Sequence, residues 1–380
     1  MQYITTISQK KYSNSEINNN NNKAYSKGNN KKEINSIEKQ ILLSNPILES
    51  FGNARTIRND NSSRFGKFIE IKFSSSQKNK LIGASIETYL LEKVRLLTQT
   101  YGERNFHIFY EIFSLQQKEK KLLFLNNLSV HDFNMTSMSN TFIRRDNVND
   151  IDTFNDLKNA MHVIGFTDQK QINIFSIISA LLHGSNISFQ ESSRNNKTEL
   201  IQNNKSVNAF VTLLGISIDM LNDALCTCTI MACGEKLIKN LSIIQSTKAI
   251  EALIKATYKA LFTYIVQRVN KSIISDQEVS QEESSCFIGV LDIFGFESFE
   301  NNSFEQLCIN YCNETLQQQF NKFIFKLEQQ EYEREGKIYF LNAIFVFLCK
   351  NSYALLIHIK MIKVYFGLLY PSQIIKMYLI

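Results

Sequence analysis

No Cys-x-x-Cys pair occurs among the seven cysteines, and only five histidines are present to share a metal. A zinc site built from paired thiolates is therefore not expected. The odd thiol count also argues against a closed disulfide framework, and the cysteines read as reduced thiols of a cytosolic protein. Cys226/Cys228 and Cys308/Cys312 have the spacing of apolar fillers. The start, Met1 to Ser13, is polar and has no apolar leader, so no signal peptide is read there. Long hydrophobic runs are missing as well. The best membrane candidate, Ile338 to Cys349, contains Asn342 and is followed by Lys350. It is too short for a bilayer core about 30 Å thick. Basic residues exceed acidic ones by only six and are spread along the chain, which leaves no stripe for nucleic acid. No internal repeat is visible.

What is present is a chain of 380 residues, 44% hydrophobic, with 28 Phe and 15 Tyr, enough to bury a sizeable core. Residues 1–40 are Asn-rich and of low complexity, and disorder is the expectation there. From Ile41, apolar periodicity predicts helical turns around Pro46, ended by Gly52. Ile69, Ile71 and Phe73 alternate with Glu70 and Lys72, a strand pattern. Ser74 to Lys80 reads as a turn into a second, antiparallel strand over Gly83 to Tyr89. Leu91 to Phe113 reads as helical, as does Phe154 to His183. Gln190 to Asn204 reads as a polar surface loop, and Leu237 to Asn270 as mostly helix. An acidic loop, Ser275 to Ser285, leads into Cys286–Leu291, whose unbroken apolar run predicts a strand buried on both faces of a sheet. Asn302, three residues before Glu305, opens a long helix to about Glu335, with Gly336 as its stop. Its Phe and Leu stripe reads mostly as core. Lys337 to Ile380 is apolar and Lys-rich with no stable period.

Two short segments carry the chemistry. Asn59 to Phe68 offers amides and small hydroxyls beside Arg64, and Asp292 to Glu297 offers a carboxylate, a glycine and a glutamate. Taken singly, Ser62 and Ser63 are turn residues, Arg64 is a solvated charge and Asp292 is a cap. Together they supply the neutral donors, metal-directed acid and paired charge that chemistry on a triphosphate needs. Asp292 stands at the C-terminal end of its strand, where α/β folds place ligands.

These segments resemble those of myosin heads. Ser44 to Asn53 running into Asn59–Phe68 is similar to the approach to switch I. Leu90-Leu-Glu-Lys93 and Gly102 to Tyr110 are similar to the next signatures, and Asp292–Glu297 with Asn302 to Tyr311 to switch II and the relay helix. The resemblance covers residues 41 to 335. It implies an incomplete α/β motor core related to P-loop NTPases, a mixed twisted sheet flanked by helices. It divides the chain into 1–40, a partial motor domain at 41–336, and an unassigned tail at 337–380. It also implies ATP and Mg²⁺ as cofactors and actin filaments as partner, in the cytoplasm with the cytoskeleton, with no light chains on this stretch. By resemblance Asn59 approaches the phosphates, Ser62 positions the attacking water, and Ser63 gives a hydroxyl to Mg²⁺. Asp292 acts on the metal through water, the Gly295 N–H meets the γ-phosphate, and Arg64 pairs with Glu297 when the switches close. Glycine at 295 permits the close approach.

A third part is missing from the pattern. Only Gly66-Lys67 and Gly336-Lys337 place a glycine before a lysine, and neither fits Gly-x-x-x-x-Gly-Lys-Ser/Thr, the loop that cradles phosphates. Two readings stay open. One is an incomplete gene product of a myosin motor, with non-coding sequence read through at the ends. The other is a reduced, catalytically inactive protein that serves as a binding module.

Overall fold

The computed structural model describes residues 37–74, 80–192, 197–201, 204–232, 235–273, 286–298, 302 and 304–335. Residues 75–79 of the turn read at 74–80, residues 1–36 of the low-complexity stretch read at 1–40, the acidic loop at 275–285, the Gly336 stop and the tail at 337–380 lie outside the described residues. Residues 37–40 are helical rather than disordered, and Ser74 and Lys80 already belong to strands. The chain divides into two compact units, Met1–Phe294 and Gly295–Ile380.

The described part of the first unit starts with α1 (Ile37–Gly52). Ile41, Ser44, Leu48 and Phe51 recur at helical spacing and are buried on one face. Pro46 lies inside this helix and withdraws one donor from its ladder, and the Ser44 hydroxyl donates to the Ile41 carbonyl at 2.6 Å. Gly52 ends the helix against Phe65. A Cβ there would stand 2.2 Å from the ring, so the close approach itself requires glycine.

Two short strands follow, β1 (Asn53–Ala54) and β2 (Ser62–Ser63), then β3 (Gly66–Ser74) and β4 (Lys80–Tyr89). β3 and β4 are antiparallel as expected, with Ile69 opposite Ile86, Ile71 opposite Ala84, and a register shift between Lys72 and Phe73. One face of the pair is apolar: Ile69, Ile71, Ala84 and Ile86 are buried.

The longer helices α2 (Asp150–Val163) and α3 (Asp168–Gly184) start at Asn149 and Thr167, whose side-chain oxygens accept the Ile151 and Lys170 N–H groups. They account for the helical reading of Phe154 to His183. α4 (Lys205–Leu214) ends at Gly215 in the left-handed region, and α5 (Ile218–Cys226) follows. α6 (Ile243–Ile273) runs 31 residues across the unit. Its Tyr258 is fully buried, stacks on Phe106 and Phe109, and donates its hydroxyl to the Phe51 carbonyl at 2.6 Å. Near its end, the Asn270 amide accepts the Ile86 N–H and donates to the Ile86 carbonyl, both at 2.8 Å. It thereby covers part of the open edge of β4.

Several expectations need correction. Leu91 to Phe113 is not one helical region but short turns at Lys93–Leu96, Ile108–Glu111 and Ile112–Ser114, set by burial of Leu96, Phe106 and Phe109 rather than by propensity. The polar stretch after Ser188 carries an antiparallel pair, β5 (Phe189–Glu191) and β6 (Thr198–Leu200), because Phe189 and Leu200 face the core. Leu237 belongs not to α6 but to a second hairpin, β7 (Thr227–Ala232) with β8 (Glu235–Asn240). Its neighbour Cys228 is exposed, unlike Cys226, so only the latter acts as a core filler.

The strand β9 (Cys286–Asp292) forms where expected and completes an antiparallel sheet of order β4-β3-β9. It is not buried on both faces, however: Phe287 is 59% and Leu291 48% exposed. Among the described residues it pairs with β3 alone, which leaves its other edge without a strand and Phe287, Ile288 and Leu291 about half exposed.

In the second unit, α7 (Phe304–Arg334) is the single described helix. Phe320, Phe323 and Leu327, read from sequence as core, are exposed, since no other described element of that unit stands against them. No single helix among the described residues is long and apolar enough to cross a membrane.

Candidate functional site

The segment from Asn53 to Arg64 is a closed hairpin. Asn53 pairs with Ser63 and Ala54 with Ser62, and the Arg64 N–H donates to the Gly52 carbonyl at 2.8 Å. At its base, the Asn61 amide ties three elements. Its nitrogen donates to Glu49 Oε2 at 3.1 Å, and its oxygen accepts from Asn53 Nδ2 at 3.0 Å. The same oxygen lies 3.1 Å from His107 Nε2, which assigns the proton to that nitrogen. Burial, then the nearby Arg104 and Arg144, holds the His107 pKa well below the usual histidine range, so the ring stays neutral. At the tip, the Asn59 carbonyl accepts the Thr56 N–H at 2.8 Å, and Asn59 Oδ1 accepts the Asn61 N–H at 2.9 Å.

Ser62, Ser63 and Arg64 meet each other. Arg64 Nη2 donates to Ser62 Oγ at 2.8 Å and Nε to the Ser63 carbonyl at 3.1 Å. Arg64 is buried, contrary to the solvated-charge reading. Its Nη1 lies 3.3 Å from Glu92 Oε2. That oxygen also accepts from Arg95 Nε at 2.8 Å, and Arg95 Nη1 reaches Glu103 Oε2 at 2.9 Å. Glu103 Oε1 accepts the Ile57 N–H at 3.4 Å. A buried chain of alternating charge thus joins the end of the hairpin to its tip. Burial pushes the Glu92 carboxyl up, but Arg95 and Arg64 outweigh it and hold the group below the ordinary carboxylate value.

β3 brings Asp292 to the same end of the sheet. Lys67, three residues after Arg64, stands opposite Asp292, and Lys67 Nζ lies 3.2 Å from its Oδ2. Ile293 packs 3.4 Å from where a Gly66 Cβ would be. Gly295 and Glu297 belong to the second unit. Among the described residues, nothing lies within 4 Å of the Cβ position of Gly295. The Glu297 peptide is held to α7 by one side chain: its N–H donates to Asn310 Oδ1 at 2.8 Å and its carbonyl accepts from Asn310 Nδ2 at 2.6 Å.

Sequence reasoning assigned no role to Glu92, Arg95, Glu103, Asn61 or Asn310. One signal was available: Glu92 and Arg95 stand three apart in an apolar stretch, the spacing of a pair that buries together.

By residue type alone, the donors suit a hydrated divalent cation. They are hard oxygens, two hydroxyls and a carboxylate. No group of three or more His, Cys, Asp or Glu that could hold a metal exists among the described residues. A magnesium ion typically takes only one or two protein oxygens, with water and phosphate completing its shell.

A family model described as "Myosin head (motor domain)" matches residues 1–352. The chain belongs to the myosin head family. It is 44% identical to unconventional myosin-Vb of Mus musculus over 301 residues, 79% of this chain and 16% of that protein. Myosin-VIIa of Drosophila melanogaster is 46% identical over 303 residues, 79% of this chain and 14% of that protein. Human unconventional myosin-Vc is 43% identical over 301 residues, 79% and 17% of the two chains. This myosin head sequence therefore spans about a sixth of the length of these curated relatives. The family match is wider than the 41–335 read from motifs, and it includes the Asn-rich start.

Proposed function

We propose that this chain carries the switch segments of an actin-based motor that couples Mg-ATP hydrolysis to movement along actin filaments in the cytoplasm. The observation that supports it best is the pairing of β3 with β9, in which Lys67 stands opposite Asp292 and two segments remote in sequence share one end of a sheet. In the proposed roles, Asn59 meets the phosphates, Ser62 positions the water, and Ser63 and Asp292 hold Mg²⁺, the latter through water. The Gly295 N–H binds the γ-phosphate, and Arg64 with Glu297 closes the two switches. Bound Mg-ATP would supply the phosphoryl group and the cation that neutralises its charge. The protein's part is positioning and fixed donors, which suits a hairpin whose amides and hydroxyls are already tied. No nucleic acid, membrane or light chain is assigned as a partner.

The lack of a Gly-x-x-x-x-Gly-Lys-Ser/Thr segment in the 380 residues supports a second reading, a nucleotide-silent fragment that only binds. Steady-state Mg-ATPase, with and without actin filaments, separates the two when the chain is joined to an upstream myosin segment bearing that loop. The motor reading expects turnover that collapses in Arg64→Ala and in Glu297→Ala. Turnover indifferent to both substitutions, or none at all, sinks it.

A further inference from the structure

A segment outside both switches grips the tip of the hairpin. The Arg145 N–H donates to Asp60 Oδ1 at 2.8 Å and its Nε to Asp60 Oδ2 at 3.0 Å. Its Nη1 donates to the Ile57 carbonyl at 2.9 Å and its Nη2 to the Thr56 carbonyl at 3.0 Å. Residues 143–146 contribute once more. Arg55 Nη1 donates to the Ile143 carbonyl, and Arg144 turns away to Asp146, with Nε–Oδ1 at 3.0 Å. Arg55 Nε approaches Asp60 Oδ1 at 3.4 Å, so Asp60 is held by arginines from both sides.

We propose that Arg145 is a positioning residue of the switch hairpin: it fixes the backbone on either side of Asn59 through Thr56, Ile57 and Asp60, without touching a ligand. This rests on the reading that Asn59 meets phosphate. The Arg145 side chain is 47% exposed, so the charge pair itself contributes little to global stability. Its weight lies in geometry. One planar fork satisfies two backbone carbonyls and a carboxylate together, which a lysine ammonium cannot do. A loop tied in this way is ordered before a ligand arrives, and the entropy of ordering is already spent on folding.

Amide hydrogen exchange on the full 380-residue chain tests the proposal. Arg145→Ala is expected to speed exchange in the peptide covering residues 55–61 about tenfold, the signature of a local opening, while α6 and the melting temperature stay unchanged. Arg145→Lys is expected to recover only part of the protection. Unchanged exchange at 55–61 in Arg145→Ala overturns the proposal. In the loop-completed chain described above, Arg145→Ala should raise KM for Mg-ATP several-fold and change kcat less; an unaltered KM also overturns it. Absence of turnover with Arg145 intact counts against the motor reading instead, and the exchange result then decides the positioning role alone.

Discussion

Arg95 Nε lies 2.8 Å from Glu92 Oε2, and the same oxygen is the one that faces Arg64. A single buried carboxylate thus orients the switch arginine and is itself oriented by a second arginine, with Glu103 closing the chain. Removing Glu92 takes a carboxylate from two buried arginines, and broken buried pairs typically cost about 3–5 kcal/mol.

Glu92→Ala is therefore expected to destabilise the first unit by about that amount, and Glu92→Gln, which keeps the shape and loses the charge, by less. Urea unfolding read by circular dichroism checks both. The same residue carries an acid-side prediction. Its carboxyl is depressed below the ordinary 4.5 in the folded chain. The stability it contributes is therefore present above that value and is lost as the pH falls through the folded one. Glu92→Gln should show a flatter decline below pH 4.5 than the unsubstituted chain.

Glu111 works in the opposite direction. Fully buried among Ser50, Thr153, Asp150 and Arg104, its carboxyl is pushed up to about 7, with desolvation the main cause. A raised folded value means that the protonated form is the stable one. Its contribution is complete below the ordinary 4.5 and is lost as the pH rises through about 7. The loss is roughly 3 kcal/mol at most. Glu111→Gln is expected to abolish that decline between pH 5 and pH 8, and a parallel pH profile for both proteins would refute the assignment.

Gly52→Ala tests the contact beneath the switch. A methyl group there meets the Phe65 ring at 2.2 Å, and Phe65 packs edge-on against Phe262 at 5.1 Å. Overpacking of this kind typically costs about 1–3 kcal/mol. Because Phe65 follows Arg64 directly, the exchange of residues 62–66 should rise together with the loss in midpoint. A midpoint equal to the parent's would show that the ring moves freely.

The 380-residue polypeptide by itself is expected to lack actin-activated Mg-ATPase. The switches supply hydroxyls, one carboxylate and an arginine, but no sequence in the chain matches the lysine-bearing loop that envelops phosphates. Phosphate release above background that vanishes in Arg64→Ala would overturn this expectation.

Much of the architecture is legible in the local pattern. Period-two alternation at Ile69, Ile71 and Phe73 predicts β3, and helical spacing predicts α1 and α3, because burial of one face repeats at the period of the backbone. The hairpins β5–β6 and β7–β8 escape such reading. β5 and β6 are three residues each and are secured by Phe189 and Leu200 meeting a distant core, whereas β7 and β8 leave Ile230, Met231, Leu237 and Ile238 exposed. The exposure of β9 is equally hidden, since an apolar run looks the same whether or not a neighbouring strand is present.

The candidate site divides along the same line. The order and types of Asn59, Ser62, Ser63, Arg64, Asp292, Gly295 and Glu297 are covalent facts, and they determined the family and the proposed chemistry without any coordinates. That Arg64 is buried against Glu92, that Arg95 and Glu103 extend the charge chain to Ile57, and that Arg145 staples the hairpin were decided only by the tertiary structure. Charge pairing and hydrogen bonding depend on distances of about 3 Å, and folding alone sets such distances between residues far apart in the chain.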